Sequence, residues 1–313
     1  MPAPSPDNPF RLGTRRSPLA MAQAEEARAR LCAAHGWAAE AVALVPVVAS
    51  GDRIQDRALA DIGCKALWTR ELDVRLTEGT IDAAVHSLKD VETLRPDSLA
   101  IAAVLPRADK ADVLLGAASV EALPQGAVVG TSAPRRAAQL LHLRPDCEVV
   151  LFRGNVATRM AKLAAGEVDA TFLAAAGLER LGEGGAGTRL DPEEWLPAPS
   201  QAAIGIECRA NDERARAWLA AIDHPPSHAE VLAERSLLGA LGGSCRSAVA
   251  CLTRPEGAQL RLAAAIFSPD GAERIAGEAV FAADAHEEAA RALAADLLAR
   301  APAAVRNTFQ PPA

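Results

Sequence analysis

The chain has 313 residues, 50% of them hydrophobic, only 3% aromatic with no tyrosine, and a formal net charge of -7. That length exceeds what one core ordinarily holds, so two or three domains are expected. The acidic balance and the scarcity of aromatics exclude a general polyanion binder and a base-stacking platform, so any anion site has to be a local cluster of basic residues.

At the N-terminus, "MPAPSPDNPF" has neither a basic nor an apolar signal region, so no signal peptide is expected. "FRLGT" reads as a strand ending at a turn. "SPLAMAQAEEARARLCAAHG" reads as a helix with Ser17 as N-cap, Pro18 in its first position and Gly36 as its stop. "AVALVPVVA" is a second strand, "ALWTRELDVRLTEG" a helix closing on Gly79, and "IDAAVHS" a buried strand.

The same grammar then returns. "VGTSAPRRAAQLL" from Val129 repeats the Gly-Thr step, the Ser/Pro/Arg turn and the helix start of "LGTRRSPLAMAQA" from Leu12. "KLAAGEVDATFLAAAG" from Lys162 repeats "RLTEGTIDAAVHSLKD" from Arg75. The pairs keep their order while their separations differ, which excludes a solenoid. The pattern predicts α/β layers: two similar doubly wound domains, periplasmic-binding-protein-like, facing each other.

Further on, "HPPSH" at 224–228 reads as a proline-containing linker, followed by a helix "AEVLAERSLLGAL" and a loop around Cys245. Strand patterns follow in "QLRLAAAIF" and "AGEAVFAA", then a last helix from about Ala285 to Ala301. The expected division is 9–105 with 203–222 as one α/β domain, 109–198 as its echo, and 227–313 as a small α+β domain. The alanine-rich stretches are broken by charges well short of the ~20 apolar residues of a membrane span.

Chemistry is expected at the strand-to-helix turns, where a doubly wound sheet places its ligands. Arg15, Arg16 and Ser17 lie at the first turn, Thr131, Ser132, Arg135 and Arg136 at its echo, and "FRGNVATR" adds Arg153 and Arg159 at another helix start. Free backbone N–H groups, the positive end of the helix dipole and guanidinium forks all favour carboxylate or phosphate. One arginine at a helix start is ordinarily a solvated residue. Six at three equivalent turns point to a ligand with several carboxylates.

"HSLKD" ends the strand that begins at Ile81. Alternation turns Ser87 and Lys89 one way and His86 the other, which makes His86 a core histidine. Asp90 stands where strand gives way to loop. In isolation it pairs with Lys89 as a cap; at the mouth of an arginine-lined cleft it is a candidate for holding an N–H cation or moving a proton.

The six cysteines, Cys32, Cys64, Cys147, Cys208, Cys245 and Cys251, include no CxxC pair and no metal-ligand spacing, so neither a metal nor a disulfide framework is expected and the cytoplasm is the expected compartment. Cys245 is set apart by its flexible surroundings, "ALGGSCRSAVA".

Eight stretches in order, "TRRSPLAMAQ", "SGDRIQD", "AVHSLKDV", "GTSAPRRAAQL", "FRGNVATR", "AAAGLERL", "AIGIECR" and "GGSCRS", resemble the motifs of the porphobilinogen deaminase (hydroxymethylbilane synthase) family from about Leu12 to Val249. The resemblance implies a transferase that joins four porphobilinogens head to tail into a linear tetrapyrrole, releasing ammonia at each step, on a covalent dipyrromethane primer. It implies that Cys245 carries the primer as a thioether. It implies that Arg15, Ser17, Arg135, Arg136, Arg153 and Arg159 hold acetate and propionate groups, with Gln23, Ser87, Lys89, Ser132 and Arg180 as further contributors, whereas Arg16 lies outside the site. Asp90 corresponds to the catalytic carboxylate, binding pyrrole N–H groups and stabilising positive charge as ammonia leaves. A monomer with no nucleic-acid or membrane partner is expected.

Several positions depart from the family pattern. "GCKA" at 63–66 stands for Gly-Gly-Lys-Gly, "SQA" at 200–202 for Gly-Gln-Gly, Glu92 for a proline, and Ala248 for another. Each alters backbone freedom without removing a charge from the expected site. A hinged α/β receptor for a small anion shares the architecture and the arginine turns, and a nucleic-acid module shares the arginines; a covalent pyrrole chromophore separates the three.

Overall fold

The computed structural model describes residues 3–48, 68–244 and 247–309. "GCKA" and Cys245 therefore lie outside the described residues. Contacts divide the chain into two compact units: one takes the described residues up to Ala108 with Ala202–His228, the other Asp109–Gln201 with the residues from Ala229 on.

The first unit begins with β1 (Phe10–Arg15), α1 (Pro18–His35), β2 (Val42–Val47), α2 (Arg70–Thr77), β3 (Ala83–Ser87) and β4 (Leu99–Val104). In the second lie β5 (Asp112–Leu115), β6 (Val128–Gly130), α3 (Pro134–Leu143), β7 (Glu148–Val150), α4 (Val156–Ala164), β8 (Ala170–Ala174), α5 (Ala175–Arg180) and β9 (Thr188–Arg189). The chain then returns to the first for β10 (Ile204–Arg209) and α6 (Glu213–Ala220). After α7 (Pro225–Ala240) come β11 (Val249–Glu256), β12 (Gln259–Phe267), β13 (Arg274–Phe281), α8 (His286–Arg300) and α9 (Ala303–Arg306).

The two large sheets have one topology. The first runs β2-β1-β3-β10-β4 and the second β7-β6-β8-β5-β9. In each, the second strand pairs in parallel with both neighbours, and the fourth strand is antiparallel to its neighbours. That fourth strand is the one the chain reaches by crossing between units, β5 after β4 and β10 after β9. The doubly wound α/β architecture, in two similar copies, is thus as the sequence repeat predicts. Here β11, β12 and β13 form a separate antiparallel sheet, backed by Leu237 and Leu241 at the α7 end and by Leu293 and Leu297 of α8.

Local chemistry explains the first helix. Ser17 Oγ accepts the Ala20 N–H at 3.3 Å, Pro18 lacks the N–H that would otherwise be orphaned, and Gly36 ends the helix at φ 67°. Its apolar face, with Ala24, Ala27 and Leu31 at three- and four-residue spacing, packs into a core with Phe10, Leu12, Val85 and Ile206. Fully burying one such leucine contributes about 1.5–3 kcal/mol.

Two readings change. "HPPSH" is no linker: α7 begins at Pro225, because prolines fit the first helical turn, where no N–H partner is available. Strand β11, whose first residues are Val249 and Ala250, was hidden among the small residues after the cysteine loop. Helix α2 starts only at Arg70, and Ala66 and Leu67 of the expected helix lie outside the described residues.

Candidate active site

The C-terminal ends of β1 and β3 converge on one pocket of about 50 Å³. Arg15 comes from β1, Ser17 and Gln23 from the start of α1, Ser87 from β3, Asp90 from the 3-10 turn that follows, and Trp68 from the entry to α2. Gln23 Nε2 donates to Ser87 Oγ at 2.8 Å, tying the helix to the strand end. The Arg15 guanidinium lies 4.0 Å from the centroid of the Trp68 ring, a cation-π contact that holds its charge at the pocket wall. Gly205, opposite His86 on β10, has no room for a side chain: a Cβ there would stand 2.4 Å from Leu88 Cδ2. That absence lets Leu88 sink into the core and leaves Asp90, two residues on, half-buried in the pocket lining.

His86 is buried, as expected of a core histidine, with Nε2 3.1 Å from Glu207 Oε2, but it lines the same pocket as Ser87 rather than facing away from it. Glu207, also buried, takes a bidentate fork from Arg95, Nε to Oε1 at 2.8 Å and Nη2 to Oε2 at 2.9 Å. Arg95 also donates to Asp73 at 2.6 Å and to Glu92 at 2.7 Å. Burial opposes ionisation of Glu207, but His86 and Arg95 outweigh it and hold the carboxyl down to about 2. Glu92, standing where the family has proline, receives Thr69 Oγ1 at 2.8 Å. The departure thus adds a hydrogen bond at the entry to α2, and Thr69 itself lines the pocket.

In the second unit the repeated turn holds a different arrangement. Asn155 caps α4 by accepting the Thr158 N–H at 2.8 Å, and Arg159 is drawn back over that turn, Nε to the Gly154 carbonyl at 3.0 Å and Nη2 to Ser132 Oγ at 3.4 Å. Thr131 and Arg153 are buried nearby in sequence, at the ends of β6 and β7 respectively. Sequence reasoning set Arg135 and Arg136 among the open anion holders; in the structure most of their N–H groups are already engaged. Arg135 Nη1 donates to Asp112 Oδ2 at 2.5 Å, and Arg136 reaches both oxygens of the same carboxylate, Nη2 to Oδ1 at 2.6 Å and Nε to Oδ2 at 3.2 Å. Burial opposes the Asp112 charge, yet the two guanidiniums hold its carboxyl far below the usual range.

The structure therefore gathers Arg15, Ser17, Gln23, Ser87 and Asp90 in one pocket, Ser132 with Arg159, and Arg135 with Arg136. Lys89 shares the turn of Asp90 but is not part of the pocket lining, and Arg180 sits in the last turn of α5. Sequence reasoning missed Asp112, Glu207 and Trp68. A signal for the first two was available: a carboxylate inside an apolar strand, as in "ADVLLG" and "AIGIECR", has to be paired when buried.

Residues 10–217 match the family model described as porphobilinogen deaminase, dipyromethane cofactor binding domain, and residues 228–299 match the porphobilinogen deaminase C-terminal domain. The chain belongs to the porphobilinogen deaminase family. It is 59% identical to the porphobilinogen deaminase of Sphingopyxis alaskensis over 97% of this chain and 98% of that protein. With the porphobilinogen deaminase of Paracoccus denitrificans the identity is 50% over 84% of this chain and 85% of that one. As a porphobilinogen deaminase it is a transferase of tetrapyrrole biosynthesis, a hydroxymethylbilane synthase that condenses porphobilinogen on a dipyrromethane cofactor. Among solved structures it is similar to the VFT2 domain of Bordetella pertussis BvgS, with TM-score 0.41 and 17% identity over 72% of this chain and 91% of that one. Similarity to a putative periplasmic sulfonate-binding protein of Methylobacillus flagellatus reaches TM-score 0.39 and 15% identity, over 75% of this chain and 68% of that one. At such scores the likeness carries no argument about ligand.

Proposed function

We propose that Asp90 is the catalytic carboxylate of this hydroxymethylbilane synthase and that Cys245 is the point of covalent attachment of its cofactor. The observation that carries the assignment of Asp90 is its place in one pocket with the Arg15 guanidinium, at the sheet edge where strands give way to helices. A carboxylate in the pocket lining can accept pyrrole N–H groups and oppose the positive charge that develops as an ammonium group departs, while Arg15 takes a substrate carboxylate. Ser17, Gln23, Ser87 and Lys89 orient these two charges. Thr131, Ser132, Arg153, Arg159 and Arg180 are proposed to hold further acetate and propionate groups in the second unit. Arg136 contributes through Arg135 and Asp112.

The dipyrromethane cofactor, when bound, supplies the pyrrole terminus to which substrate units are added. The residues present fit a polycarboxylate: Arg135, with 4% of its surface exposed, has its Nε without a hydrogen-bond acceptor, so a buried cationic donor is left for an anion. The proposal extends to a cytoplasmic monomer without nucleic-acid or membrane partners, and to three domains divided as the sequence suggests. Among the described residues no helix is long and apolar enough to cross a membrane. Intact mass spectrometry with peptide mapping tests the attachment: two linked pyrrole units on the Cys245 peptide are expected, and an unmodified Cys245 in active enzyme refutes it.

A further inference from the structure

Asp112 receives hydrogen bonds from five donors. Oδ2 accepts from Arg135 Nη1, Arg136 Nε and Trp195 Nε1, and Oδ1 from Arg136 Nη2 and Gln201 Nε2. A carboxylate offers about four lone-pair positions, so this one is saturated and its two oxygens are pinned. Among the described residues the other acceptors are neutral: the Leu196 carbonyl at 3.2 Å and Gln201 Oε1 at 3.4 Å for Arg135, and the Phe172 carbonyl at 2.8 Å for Arg136. The nearby Lys110 ammonium is itself paired with Glu230 at 2.6 Å.

Two guanidiniums and one carboxylate, all buried, together carry one net positive charge. The donors divide unevenly. Arg136 spends Nε and both Nη groups on Asp112 and Phe172, whereas Arg135 keeps Nε without an acceptor. Burial, together with the like charge of Arg136, pulls the Arg135 guanidinium below its ordinary value in spite of Asp112. A neighbouring anion relieves both the excess charge and the orphaned donor.

We infer that Asp112 is a positioning residue that converts the Arg135–Arg136 pair into a site for a single carboxylate, anchoring Arg136 and aiming the Nε edge of Arg135 at the ligand. Without Asp112 the pair would repel itself and present two loosely held charges. With it, one charge remains and has one direction. The inference rests on the reading that Arg135 holds a cofactor carboxylate, and the test separates the two.

Asp112→Asn, Asp112→Glu, Arg135→Gln and the double variant Asp112→Asn/Arg135→Gln are expressed as full chains and read by intact mass for cofactor occupancy and by KM for porphobilinogen. Asp112→Asn is expected to lower the ratio of loaded to unloaded chains about tenfold and to raise KM by a similar factor, the scale of one lost charge-assisted hydrogen bond. Asp112→Glu keeps the charge and is expected to recover most of the occupancy. The double variant has the same net charge as the natural trio, so it tests the idea even where Asp112→Asn fails to fold. Its occupancy is expected to equal that of Arg135→Gln alone, because both changes act through one guanidinium. Full occupancy and unchanged KM in Asp112→Asn, with only a lower melting temperature, would overturn the positioning role, as would a double variant far below Arg135→Gln. Full occupancy in Arg135→Gln overturns the reading of Arg135 itself, and the inference with it.

Discussion

Replacing Glu207 by Gln removes one negative charge from behind the Asp90 pocket while keeping the side-chain shape. The cost can be reached by two routes. Breaking a buried ion pair ordinarily costs about 3–5 kcal/mol. Arg95 keeps Asp73 and Glu92 as partners, which places the loss near the lower end, about 3 kcal/mol. Independently, the fall of the Glu207 carboxyl from its ordinary 4.5 to about 2 corresponds to about 3 kcal/mol at ~1.36 kcal/mol per unit. For a folding unit of this size, ~3 °C per kcal/mol turns that into a melting-temperature drop of roughly 10 °C at pH 7. Because the folded carboxyl lies below its unfolded value, its contribution is complete above pH ~4.5 and is lost as pH falls toward about 2. Natural and Glu207→Gln proteins are therefore expected to converge in melting temperature as pH is lowered through that window. Circular-dichroism melts between pH 7 and 3 measure this. A gap of under 2 °C at pH 7, or one that persists unchanged at low pH, refutes the charge argument and leaves packing as its cause.

Other outcomes follow from the same structure. Asp90→Asn is expected to load cofactor normally and to lose roughly 100-fold in turnover, about 3 kcal/mol of transition-state stabilisation, since it keeps the size but removes the charge in the pocket lining; quenched-flow or steady-state assays on the loaded protein decide it, and near-normal turnover points away from Asp90. Arg159→Lys is expected to raise KM more than it lowers kcat, because an ammonium cannot donate to the Gly154 carbonyl and Ser132 while also meeting a carboxylate as a fork; an unchanged KM removes Arg159 from the binding set. Ser200 and Ala202 sit at φ 60° and 69°, where the family pattern has glycine, and the left-handed region costs a non-glycine residue about 1–2 kcal/mol. Ala202→Gly is expected to stabilise the protein by about 0.5–1 kcal/mol after the extra chain entropy of glycine is counted, and a lower midpoint in denaturant melts contradicts the strain.

Much of the molecule follows from short-range chemistry and is legible in the sequence. Ser17, Pro18 and Gly36 delimit α1 because each acts on backbone groups within a few residues of itself. The twin Gly-Thr turns announce two copies of one α/β design, and the ordered motifs identify the enzyme family. Asp90, Arg15, Ser17, Gln23 and Ser87 stand out in the sequence through the turns and motifs that carry them, and the structure places them in a single pocket. What the sequence does not contain is which distant charge meets which. Asp112 lies 23 residues from Arg135 and 89 from Gln201. Glu207 meets Arg95 from 112 residues away. Both pairings depend on the antiparallel fourth strands, β5 and β10, which enter their sheets only after the chain has crossed from the other unit. No periodicity encodes such a crossing, since strand pairing is selected by the packing of whole sheets rather than by neighbours in the chain. A guanidinium that looks open to ligand at a helix start is consequently claimed or released by a carboxylate that only tertiary structure delivers.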